Sequence, residues 1–195
     1  MKLYWFTSTN PQKIRLALEE LGLDYERVPV NLYNREHQSG PHASLLPRKK
    51  VPALEVDGQI IHESGAILLY LAQNHGLWPE DQLERFDATS LLFMESSAFQ
   101  DLAGVFFFNR VVLPANGVKP DEDRIAKAKK KIRPLLNLLE ARLEDREWLC
   151  GDFSVIDCAY APWLTVIDLD EHPRLSDYVS RIRQRPAWVR SEFEY

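Results

Sequence analysis

Cysteine and methionine are scarce in this chain, with two of each among 195 residues, and glycine numbers only 8. Two cysteines cannot build a disulfide framework, and Cys150 and Cys158 are too widely spaced for a metal-binding pair. Cys158 follows Asp157 in an apolar segment and reads as a buried, inert thiol. An excess of positive charge is also missing. The 24 Lys and Arg face 29 Asp and Glu, and the net charge of −5 is spread over both halves, which argues against a nucleic-acid partner or an anionic membrane surface. The five histidines show no metal-ligand spacing, so no metal is expected. The first six residues lack the apolar length of a signal peptide, and no stretch reads as long and apolar enough to span a bilayer; a cytoplasmic location is expected. Internal repeats and low-complexity tracts are absent.

What is present is ordinary for a globular protein: 45% hydrophobic and 27% charged residues. Leu3 to Phe6 reads as a strand, Pro11 to Leu23 carries helical spacing ended near Gly22, and Tyr25 to Val30 alternates as a second strand. Strand, helix, strand implies a parallel crossover. A looser helix within Glu36 to Leu46, a hairpin and a helix from Glu63 to Asn74 complete a thioredoxin-like βαβ-α-ββα order over residues 1–76. Residues 77–82 read as a linker, with Trp78 wedged between domains, and residues 83–195 as an all-helical domain. The helical segments expected there are Leu83 to Val112, Asp121 to Leu143, Ser154 to Ile167 and Pro173 to Gln184. The basic run Lys127 to Lys131 reads as a solvated helix face, and Ser154 with Asp157 has capping-box spacing.

Residues 50–72 carry the most chemistry. Val51-Pro52 leads straight into a strand, where a cis peptide can be held and the Val51 backbone left free for an extended ligand. Asp57-Gly58 turns that strand into a hairpin, returning the chain to Glu63-Ser64. There a helix N-terminus offers free N–H groups, a positive dipole end and a hydroxyl, which suits a small carboxylate. The pair of elements fits a short acidic peptide.

With these motifs the chain resembles the glutathione S-transferase family, from Met1-Lys2-Leu3-Tyr4 through to Phe153-Ser154-Val155-Ile156-Asp157. The bacterial type nearest to the theta, nu and beta classes is the closest in pattern. The lead-in to the proline departs from the family's usual form at Leu46 and Lys49, while Lys50 is kept. The resemblance implies glutathione as co-substrate, held by Lys50, Val51, Pro52, Glu63 and Ser64, and a small electrophile or a disulfide as second substrate. It also implies a homodimer, to which the aromatic load of Phe86, Phe93 and Phe99 on one helix adds support. Gln100 and Asp101 lie where some family members reach the partner's γ-glutamyl amine, and Arg110 lies in a stretch that lines the electrophile pocket in many bacterial members.

A thiol-activating enzyme needs a donor for the thiolate, because the free thiol titrates at about 8.5. The loop Thr7 to Gln12 before the first helix offers three. Ser8, which matches the family's catalytic serine, is the first choice; Asn10 matches a nu-class asparagine, and Thr9 lies between them. The same trio would also serve simply to cap the helix. Tyr4 matches the tyrosine used by other classes, but as a strand residue it is expected to pack inward with its hydroxyl bonded. The alternative to an enzyme is a catalytically silent relative of the stringent starvation protein type, which binds protein partners; the motif beginning at Phe153 resembles that branch as well.

Overall fold

In the computed structural model, which describes residues 1–191, a four-stranded sheet runs in the order β2-β1-β3-β4. Strand β1 (Lys2–Trp5) pairs parallel with β2 (Glu26–Pro29), and the crossover between them is helix α1 (Thr9–Glu20). The short α2 (Pro41–Leu45) precedes β3 (Ala53–Val56), which runs antiparallel to both β1 and β4 (Gln59–His62). The hairpin matches expectation residue for residue, because Asp57 and Gly58 take the two positive φ angles, 50° and 79°, that a two-residue turn of this hand requires. Helix α1 starts two residues before Pro11, whose missing N–H costs nothing within a first turn. Helix α3 (Ser64–His75) ends the α/β half.

The remainder is helical. Helix α4 (Gln82–Met94), a π-helical stretch (Glu95–Phe99), α5 (Gln100–Phe107), a second π stretch (Phe108–Val112) and α6 (Leu113–Ala115) follow without a break. They form one rod, Gln82–Ala115, which is long and apolar enough by length and composition to cross a membrane, with a third of its most apolar window buried here. That corrects the expectation that no such segment exists. The rod stays unbroken because the only proline in it, Pro114, lies at its end. Here its buried face packs on α7 (Glu122–Arg142) and α8 (Val155–Leu164). Helices α9 (Pro173–Gln184) and α10 (Pro186–Ser191) close the described chain; the last four residues assigned to the helical domain lie outside it.

One apolar core runs through both halves, from Leu3, Ile14 and Leu71 to Phe99, Leu139 and Tyr178, with a small satellite of Tyr4, Val30, Leu46 and Ala53 behind the sheet. At its centre every residue of α8 is buried. Such a helix cannot leave its first N–H groups to water. Ser154 Oγ accepts from Ile156 N at 3.2 Å, and Asp157 accepts from Ser154 N at 2.8 Å, closing the expected capping box. The Asp157 carboxylate also accepts from Leu149 N and the Tyr178 hydroxyl, both at 3.0 Å. Burial pushes it up to about 6 in spite of these donors, and burial likewise raises the Cys158 thiol far above its ordinary value.

Asp157→Ala strands at least three buried donors and is expected to destabilise the protein by about 3 kcal/mol or more. Since the folded carboxyl titrates above its unfolded value, the native state holds a proton between about pH 4 and 6 that the unfolded state has lost. Wild-type stability therefore falls with rising pH across that window. The gap between wild type and variant in urea titrations should shrink from pH 4.5 to pH 7.

Candidate functional site

Between the first turn of α1, the loop before β3, the start of α3 and the α4 rod lies a cavity of about 660 Å³. Six of the eight residues expected at the site line it: Asn10, Lys50, Val51, Pro52, Glu63 and Ser64. The Val51-Pro52 peptide is cis, and Val51 precedes the first paired residue of β3, Ala53, so its backbone groups stand outside the ladder. Glu63 takes φ 70° at the N-cap of α3, a left-handed conformation uncommon for a side chain of its size. Its carboxylate is held at 2.5 Å by Arg48, and both side chains are about half exposed. Ser64 is the first helical residue, and no side chain caps that end, so the free N–H groups of the first turn face an open volume with a positive helix end behind them.

The loop residues divide. Asn10 lines the cavity and its amide oxygen is buried with no hydrogen-bond partner. A buried amide oxygen with no donor is uncommon and calls for a donor from elsewhere, or for the amide to be turned so that its NH₂ points into the cavity. Ser8 occupies the N-cap of α1 but its side chain makes no capping bond, and it is not among the residues lining the cavity. Thr9 is buried at 2% exposure and also lies off the lining. Capping therefore does not account for the serine. Tyr4 faces the satellite core, donates to Glu55 at 2.7 Å, and is pushed up to about 12 by burial and by that carboxylate. Its hydroxyl is committed away from the cavity.

Arg110 departs from its expected place. It donates to the Val166 carbonyl at 3.0 Å and to Asp168 at 2.6 Å, tying the rod to the segment after α8, and does not line the cavity. The second π stretch, which begins just before it, sets that direction. Gln100 and Asp101 do line the cavity, as does the half-buried Trp78. Sequence reasoning missed Arg48, His62, Phe93 and Ser96 in the wall. Arg48 and His62 were within reach, as neighbours of the two motifs. Phe93 and Ser96 carried no signal, because which face of a long helix meets a cleft is set by packing.

Residues 1–73 match the family model described as the glutathione S-transferase N-terminal domain, and residues 122–190 its C-terminal counterpart. Glutathione S-transferase 1 of Zea mays is 31% identical over 96% of this chain and 93% of its own length. The chain belongs to the glutathione S-transferase family. Among other relatives of this chain, the disulfide-bond oxidoreductase YfcG of Escherichia coli is 31% identical over 95% of this chain and 91% of its own. A solved glutathione S-transferase-I bound to lactoylglutathione superposes with a TM-score of 0.87 at 28% identity, covering 97% of each chain.

In this family member, Tyr4→Phe removes a bond to Glu55 but nothing from the cavity. Ligand affinity at the cavity should stay within about twofold, with a stability loss of about 1 kcal/mol. Calorimetry and urea unfolding on the same variant read both.

Proposed function

We propose that this protein is a glutathione-dependent enzyme which binds the tripeptide in the cavity and presents its sulfur as a thiolate at Asn10. The observation that carries this reading is the convergence of a free extended edge at Val51, a bare helix N-terminus at Ser64 and a buried amide oxygen without a partner at Asn10 on one volume. The Val51 backbone would pair with the cysteinyl backbone, Ser64 and the α3 N-terminus with the γ-glutamyl carboxylate, and Glu63 with the γ-glutamyl amine once Arg48 yields. Lys50 would meet the glycyl carboxylate. Asn10, turned with its NH₂ to the sulfur, and the unengaged Ser8 hydroxyl are the two donors in reach of the α1 N-terminus; Thr9 is too buried to contribute. Each unit by which they lower the thiol represents about 1.4 kcal/mol of preferential stabilisation.

The thiolate would then attack either an electrophilic carbon, expelling its leaving group, or one sulfur of a disulfide, expelling the other as thiolate. Kinship to both a maize transferase and a bacterial disulfide oxidoreductase keeps both substrate classes in the proposal. The two free cysteines, both buried, suit a reducing cytoplasmic setting. A homodimer completes the reading. Leu83, Phe86 and Phe93 are 78%, 64% and 69% exposed along α4, an apolar face beside the cavity mouth. Phe99, expected with them, is fully buried against Tyr160 and belongs to the core instead.

Three outcomes are expected. Calorimetry should show glutathione binding at or below millimolar concentration, weakened by about 1.5 to 3 kcal/mol in Ser64→Ala through loss of a charge-assisted bond; wild-type protein that fails to bind ends this reading. Thiolate absorbance against pH should move to higher pH in Asn10→Ala and less in Ser8→Ala, with affinity nearly unchanged, and the reverse order would hand the sulfur contact to Ser8. Sedimentation should give a dimer at micromolar concentration that Phe86→Glu converts to monomer.

A further inference from the structure

The two halves of the chain meet at an ion pair sealed from water. Lys13 on α1 and Glu95 at the start of the first π stretch are 0% and 1% exposed, with Nζ 2.6 Å from Oε1. The same carboxylate oxygen accepts from Trp163 Nε1 on α8 at 2.8 Å, and the Lys13 ammonium lies 5.1 Å from the centre of that indole ring. Three helices thus share one polar node in the middle of an apolar core. Burial lowers the Lys13 ammonium from its ordinary range, against the pull of Glu95. A node of this kind is a poor source of net stability, because desolvation consumes most of the Coulombic gain. Its bonds are directional, however, where the apolar contacts around it are not.

The node lies next to residues that line the cavity. Lys13 lies one turn along α1 from Asn10, and Glu95 lies between Phe93 and Ser96, with Gln100 one turn further on. The tripeptide's anchors all belong to the α/β half, whereas Phe93, Ser96 and Gln100 belong to the rod. The π stretch starts at Glu95 itself, and the extra residue per turn there lets the carboxylate turn inward while the flanking residues face the cavity.

We infer that Lys13 and Glu95, with Trp163, are positioning residues that hold the rod's cavity wall in register with the thiolate-bearing turn of α1. The catalytic part of this inference rests on the proposed function; the positional part does not. Neither residue lines the cavity, so loss of the pair should spare glutathione binding and act on the second substrate.

The test uses Lys13→Met/Glu95→Leu, which replaces the node by apolar packing and should recover the melting temperature lost in either single variant. Trp163→Phe deletes the bond to Glu95, keeps an aromatic ring beside Lys13 and Phe107 at the cost of a small loss of buried volume, and serves as the milder probe. In both, glutathione affinity should stay within about twofold, while kcat/KM for an aryl halide or a glutathione mixed disulfide falls at least about tenfold in the double variant. Amide exchange in the peptide covering residues 93–101 should quicken in both variants, a readout that needs no substrate. Unchanged exchange and unchanged kcat/KM in the double variant and in Trp163→Phe would overturn the inference. Wild type that fails to bind glutathione would overturn only the proposed function, and the exchange data would still decide the positional role.

Discussion

A carboxylate with no access to water accepts hydrogen bonds from four donors at the start of α8, and most of the molecule is arranged around the helix it caps. Asp157 draws the chain before the helix, the helix start itself and α9 onto one point, because Leu149, Ser154 and Tyr178 come from those three places. Once α8 is capped it can be buried on every side, and α1, α3, α4 and α5 all pack against it. The sheet-bearing half and the helical half therefore share a single core instead of two. A transferase-type cleft follows from that arrangement, since the α1 start and the rod are both held against the same central helix.

The cleft itself is built from ends and edges, where backbone groups have no partner within their own element. A cis peptide before β3 leaves Val51 outside the ladder, and α3 starts at a residue with left-handed backbone and no side-chain cap. These are places where local structure is left incomplete, and under the proposed function a peptide ligand with its own amide groups and carboxylates would supply what is missing. The Arg48–Glu63 contact covers one of them with the protein's own charge. Its two partners are half exposed, so a ligand ammonium can compete for Glu63 without exposing a buried ion.

Much of this was legible in the residue order, and the reason is locality. Asp57-Gly58, Val51-Pro52 and the Ser154/Asp157 box each act through neighbours in sequence, so the hairpin, the cis peptide and the capping box could all be read, although the capped helix ends at Leu164, short of the expected Ile167. Helix α9 was read to the residue because Pro173 starts it and its apolar positions repeat at helical spacing. The loop before α1 was legible only as a set of donors. The resemblance put Ser8 ahead of Asn10, whereas the helix geometry turns Asn10 toward the cavity and leaves Ser8 off its lining.

Residue types and short spacings by themselves determined the family pattern, the βαβ-α-ββα order and the hairpin register, and the resemblance they carry named six residues that line the cavity. Tertiary structure alone decided the destinations of the long-range groups. Arg110 went to Asp168, Phe99 to the core, Tyr4 to Glu55, and Lys13 found Glu95 across 82 positions of chain. Two π stretches rotate the rod relative to an ideal α-helix, so the face presented at each point along it does not follow a 3.6-residue period. A side chain's neighbours within a turn are set by local backbone geometry. Its neighbours across a core depend on how whole helices rotate and slide to fill space, which no short stretch of sequence encodes.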